Sequence, residues 1–226
     1  MKKLTLTVAI LLTFALSALA VDYWGGPPPG TWNRGDHQTT YQHWTFEDPG
    51  LVGPPNDVFN PYGEPMLDFE GMFEWGQYEC PPELDPDGVI EGWHCIEPNG
   101  GLIILTIPNT EALDGAKLIF MQITSSKAPS NVSATGHGSN PGGYTSSTWP
   151  TGLAQIQWPT TPPAPYGGAW YTYNYGLKIE PNPQSETITI EVPYCTVIDQ
   201  IVVDTICTGT IANDDATWGE VKALFE

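Results

Sequence analysis

Positive charge is what this chain has least of. Its 226 residues hold 7 lysines and arginines against 26 acids, a formal net charge of −19. A field of that sign repels nucleic acid and anionic membrane surfaces, so neither is expected as a partner. Long apolar runs are equally scarce. Leu4–Leu16 is the longest, too short to span a bilayer comfortably, which leaves no transmembrane anchor expected in the mature chain. No solenoid or propeller period recurs, and the body of the chain lacks a substantial run at helical spacing. G-x-S-x-G is absent, and so is C-x-x-C, which removes the commonest nucleophile and zinc signatures.

What is present begins with a targeting segment. Lys2 and Lys3 precede the apolar Leu4–Leu16, and Ala18-Leu19-Ala20 follows as a small-x-small cleavage site. Residues 1–20 therefore read as a signal peptide, with a mature chain starting near Val21. In an exported chain an even cysteine count reads as disulfides. Of the three pairings open to Cys80, Cys95, Cys195 and Cys207, Cys80–Cys95 with Cys195–Cys207 closes the shortest loops.

Charged residues make up only 15%, while glycine (24) and proline (23) are plentiful, the composition of many short strands joined by turns. Residues 21–38 are rich in Gly, Pro and aromatics and predict an extended arm pinned by Trp24 and Trp32. Thr39–Phe46 predicts a strand with Gln42, Trp44 and Phe46 on one face and Tyr41, His43 and Thr45 on the other. His43 reads as an exposed or hydrogen-bonded spacer rather than a ligand. Asn60-Pro61-Tyr62-Gly63 is a turn tetrapeptide. Strands are expected at Pro65–Phe69, Met72–Tyr78, Val89–Ile96, Leu102–Ile107, Ala116–Thr124, Leu153–Trp158 and Ala169–Ile179. The nearly all-apolar Leu102–Ile107 predicts a central strand covered on both sides, forming a hairpin with Ala116–Thr124 across a loop that holds one helical turn at Thr110–Leu113. Lys127–Pro150 reads as a long exposed loop.

The firmest β-pattern is Glu186–Cys207. Ile188, Ile190 and Val192 alternate with Thr187, Thr189 and Glu191, the period of a strand with one buried face. After Pro193, the run Val197–Ile206 is too dense in apolar residues for that and predicts burial on both faces with a bulge. About ten strands result, an all-β, jelly-roll-like β-sandwich over 39–208. Residues 209–226 predict a linker and a short amphipathic helix. There Thr217 and Glu220 form a capping box, and Trp218, Val221, Leu224 and Phe225 share a side. Either this tail is a sorting or docking peptide carried by Trp218, Val221 and Phe225, or those residues pack back onto the sandwich.

Several segments together resemble a known group. They are Thr40-Tyr41-Gln42-x-Trp44-x-Phe46, Asn60-Pro61-Tyr62-Gly63-x-Pro65, Ile107-Pro108-Asn109 with Ile119–Thr124, and Ile198–Thr205. In these the chain is similar to uncharacterised secreted β-sandwich proteins of planctomycete-type bacteria. Relatives of that kind often end in a PEP-CTERM sorting tail, absent here. The resemblance implies a bacterial protein that is secreted or on the cell surface, and it brings no activity or site.

Three chemistries remain to be weighed on the residues. Paired carboxylates for a jelly-roll glycoside hydrolase or polysaccharide lyase would come from Asp68, Glu70, Glu74, Glu91 or Glu191, though strand acids on a wet face are ordinary. Glu83, Asp85 and Asp87, two residues apart in a Gly-terminated loop, suit a structural Ca2+, and the same letters make an ordinary β-turn. No other cofactor is implied. Trp149, Trp158, Tyr171, Tyr173 and Tyr175 offer rings for a carbohydrate platform, and the tyrosines equally suit core packing. The reading that follows is an exported, non-catalytic protein of the cell surface or extracellular matrix that binds carbohydrate. The enzyme is its alternative.

Overall fold

The computed structural model describes residues 27, 31–46, 53–71, 100–148, 171–194 and 196–209, and the backbone of 73–78, 90–95 and 156–157. These residues form thirteen strands: β1 (Thr39–Trp44), β2 (Asp57–Phe59), β3 (Met66–Glu70), β4 (Phe73–Tyr78), β5 (Ile90–Cys95), β6 (Gly101–Pro108), β7 (Lys117–Ser125), β8 (Asn131–His137), β9 (Thr145–Thr148), β10 (Ile156–Gln157), β11 (Tyr171–Glu180), β12 (Ser185–Val192) and β13 (Val197–Cys207). No helix occurs among the described residues. The strands make two antiparallel sheets. A large one runs β10-β11-β7-β13-β1-β2, with β9 also on β11 and the β4–β5 pair attached through β5 to β13, and a small one runs β3-β6-β12-β8.

The two sheets form a β-sandwich whose inner faces follow the alternation of the sequence. On the large sheet Trp44, Ile119, Met121, Ile123, Leu177, Ile179, Ile198, Ile201 and Val203 enter one core; Leu67, Ile103, Leu105, Ile107, Ala134, Ile188, Ile190 and Val192 enter it from the small sheet. Gln42 and Trp44 turn inward as their parity requires, and Trp44 Nε1 donates to the Gly53 carbonyl at 3.2 Å. The bulge expected in the last strand is there: register shifts between Ile198 and Gln200. One extra residue lets Ile198 and Ile201, three apart, both face the core. Val202, Asp204 and Phe120 on the opposite face are buried too, so β13 and β7 are covered on both sides.

Some local expectations give way. Leu102–Ile107 and Ala116–Thr124 do not form a hairpin: β6 pairs with β12 and β3, and β7 pairs with β11 and β13. Their connection crosses between sheets because both strands are apolar enough to need an interior flank in different layers. Thr110–Leu113 is no helical turn. Ala112 forms an isolated bridge with Asn182 instead. β6 is central, yet its outward Leu102 and Ile104 are half-buried and Thr106 is exposed. Lys127–Pro150 holds two strands, β8 and β9. Strand β8 is hidden in the sequence because its inward positions are Val132, Ala134 and Gly136. Small residues are needed there, since a Cβ on Gly136 would lie 2.9 Å from Ile179 Cγ2 on the facing sheet. The arm does reach the sandwich within the described residues: Trp32 is buried, and Arg34 makes paired hydrogen bonds to buried Asp204 at 2.6 and 2.8 Å.

Candidate functional site

Strand β11 carries Tyr171, Tyr173 and Tyr175 on the same face as Leu177 and Ile179, that is, on the core-facing side. All three are half-buried. Their cross-strand partners on β7 are Ser125, Ile123 and Met121, and Tyr175 packs on the core. Burial pushes its phenol up to about 12, with Tyr173 adding to the shift; Tyr173 is raised by burial and then by Tyr171. The phenols of Tyr173 and Tyr175 stay neutral, hydrogen-bonding groups. The Tyr171 and Tyr173 rings have centroids 5.8 Å apart and are tilted by 44°. Tyr175 thus belongs to the core, while Tyr171 and Tyr173 continue its face as half-buried rings. On the free side of β11, β10 pairs at Tyr171 and Thr172 and β9 at Leu177–Glu180, with Tyr173 and Tyr175 between them.

The inner face changes character along its length. Across β11, β7, β13 and β1, the row Tyr173, Ile123, Ile201, Trp44 is mostly apolar, and two rows further on stand Leu177, Ile119, Thr205, Thr40 and then Ile179, Lys117, Cys207. Thr40 and Thr205 share a hydrogen bond of 2.7 Å. Lys117, at the start of β7, is fully buried. Its Nζ lies 3.5 Å from Oε1 of Glu186, which begins the inward row of β12 and is equally buried, and 3.6 Å from Cys207 Sγ. The thiol donates to Asn109 Oδ1 at 2.9 Å, and Asn109 Nδ2 donates to Asn182 Oδ1 at 2.9 Å. Burial pushes the Glu186 carboxyl up to about 7 against the pull of Lys117. Burial likewise raises the Cys207 thiol, again against Lys117. Among the described residues, neither Glu186 oxygen has a partner other than the Lys117 nitrogen. Sequence reading treats these residues as strand ends. Parity is the signal that finds them: Lys117 is in phase with Ile119 and Met121, and Glu186 with Ile188 and Ile190.

Cys207 carries a free, buried thiol, and Cys195, its expected disulfide partner, lies outside the described residues. Cys95 ends β5. Cys80, Cys195, Glu83, Asp85, Asp87, Trp149, Trp158, Trp218, Val221 and Phe225 lie outside the described residues.

The other acids are dispersed. Asp68, Glu70 and Glu191 are exposed on the outer face of the small sheet, where Glu70 and Glu191 flank Leu102 in one row. On β4 and β5, Glu74 stands opposite His94 and Glu91 opposite Gln77. His43 is a hydrogen-bonded spacer, 2.8 Å from Gln200. No three His, Cys, Asp or Glu side chains converge on a metal position among the described residues. An open hollow of about 480 Å³ is lined by Leu113, Asp114, Gly115, Asn140, Glu180 and Pro181. Beside it Glu111 accepts from the Ser139 amide at 2.8 Å, the Ser139 hydroxyl at 2.6 Å and the Tyr144 hydroxyl. The Ser139 and Tyr144 side chains hold the Glu111 carboxyl below its ordinary range.

No protein-family model and no curated protein matches the chain. One solved structure aligns, the enzymatically active domain of tailspike protein 4 of bacteriophage CBA120, with 10% identity over 63% of this chain and a TM-score of 0.30. The chain spans 19% of that protein's length. At that score neither fold nor activity passes between the two.

Proposed function

We propose that this protein is an exported, non-catalytic β-sandwich of the cell surface or extracellular matrix that binds polysaccharide along the edge of β11. The observation that carries the reading is the tilted, half-buried pair of Tyr171 and Tyr173. Aromatic faces cover the C–H surface of a sugar, and the phenol hydroxyls can satisfy its hydroxyls. Rings inclined to one another suit a single curved chain rather than a flat crystalline surface. Export rests on the signal-peptide pattern, and a cell-surface setting on the resemblance to secreted planctomycete-type proteins. A jelly-roll wrapping is supported by the chain's habit of crossing between sheets, as at β6–β7, β7–β8, β11–β12 and β12–β13.

The test is a pull-down against a panel of insoluble polysaccharides with a reducing-sugar assay on the supernatant. Retention on at least one polymer, lost in Tyr173→Ala with unchanged melting and no release of sugar ends, is expected. Tyr173→Ala retained as fully as wild type would end the proposal, and release of reducing ends would favour the hydrolase.

A further inference from the structure

Glu186 presents a physical problem. A fully buried carboxyl that, among the described residues, meets only one ammonium at 3.5 Å is an expensive arrangement, because desolvating two charges costs more than a single long contact returns. Buried polar groups without partners are uncommon in native proteins, and each calls for an explanation. Here the two side chains come from opposite sheets, Lys117 from β7 and Glu186 from β12, and meet inside the sandwich. Cys207 stands directly across from Lys117 in the β7–β13 ladder and holds Nζ in place at 3.6 Å.

We propose that Lys117 and Glu186 are a covalent modification site: an intramolecular amide joins Nζ of Lys117 to Cδ of Glu186 and ties the two sheets together. The condensation begins as one proton passes from Nζ to the Glu186 carboxylate, which leaves an amine facing a carboxylic acid. A desolvated lysine amine is a competent nucleophile. Nζ attacks Cδ, the N–C bond forms as the C–OH bond breaks, and the hydroxyl departs with a proton from nitrogen as water. One amine and one carboxylic acid become one amide and one water; nothing is oxidised or reduced. Fixing the two groups at near-contact distance replaces a bimolecular encounter by an effective concentration of order 10⁵ M or more. The product removes both buried charges. Cys207 is a positioning residue, and its own hydrogen bond to Asn109 Oδ1 keeps the thiol fixed.

The experiment is the intact mass of the purified full chain, reduced and denatured, with its N-terminus read by sequencing. The wild-type chain is expected to be lighter than its sequence mass by one water. Proteolysis should then release a branched peptide that contains both Lys117 and Glu186. Lys117→Met is expected at full mass, and should that variant fail to fold, the wild-type mass decides by itself. A wild-type chain at full sequence mass would overturn the proposal. Loss of one ammonia instead, with the branch on Asn109 or Asn182, would overturn it equally.

Discussion

Glu111 shows at the scale of one residue how a side chain sets a loop. Its carboxylate gathers the amide and hydroxyl of Ser139 and the hydroxyl of Tyr144, so the segment from Gly138 to Tyr144 is folded back onto the β6–β7 connection. A Cβ at Gly138 would lie 2.2 Å from Tyr144 Oη and 2.4 Å from Glu111 Oε1, so a larger residue there would push this pair aside. Hydrogen bonds to the charged form hold the Glu111 pKa below its ordinary value. A group depressed on folding contributes stability above its unfolded pKa and loses it as pH falls through the folded one. Acidification is therefore expected to loosen this loop before the core melts, seen as faster amide exchange at Ser139. Glu111→Gln should remove that pH dependence and leave exchange fast throughout.

At the scale of elements, β8 and β11 explain each other. Strand β8 has little apolar content because it lies close over β11, with Gly136 against Ile179, Tyr144 and Pro183. Gly136→Val would force bulk into a filled space, and overpacking of this kind typically costs about 1–3 kcal/mol. Urea denaturation should show a midpoint lowered accordingly at an unchanged slope. A wild-type midpoint would mean that the sheets separate more readily here than the packing implies. The tyrosines of β11 occupy the opposite situation. They extend the core face beyond the point where Leu177 and Ile179 close it, which is why half-buried rings remain within reach of a ligand.

On the scale of the whole molecule, the long last strand holds the sandwich together. Strand β13 pairs with β7 along one edge and with β1 and β5 in succession along the other, so its two ends belong to opposite ends of the molecule. The free Cys207 thiol at its C-terminal end is buried, so it should resist alkylation in the native protein while reacting fully in denaturant. Rapid native labelling of Cys207 would contradict its burial. The polar cluster around Lys117 sits where both sheets end, and a covalent tie there would resist their separation at the point where apolar packing has run out.

How much of this was legible beforehand depends on which physical term was in control. Strand positions of β1, β7, β12 and β13 were legible, and the two faces of β1 and β12 followed from period-two alternation, because a half-buried strand imposes it on the sequence directly. The bulge followed from apolar density for the same reason. Strand β8 was not legible, since its inward residues are small and carry no hydrophobic signal. The partners of β6 and β7 were not legible either, because local pattern says that a face is buried and not which sheet buries it. By itself the sequence determined an acidic, all-β chain and the buried face of β12. Only tertiary structure decided that Lys117 and Glu186 meet from opposite sheets, that the Cys207 thiol is buried beside them, and that the tyrosines lie on the core side of β11. Each of these depends on residues far apart in the chain being brought together by sheet order, and sheet order is a property of the whole core rather than of any one strand.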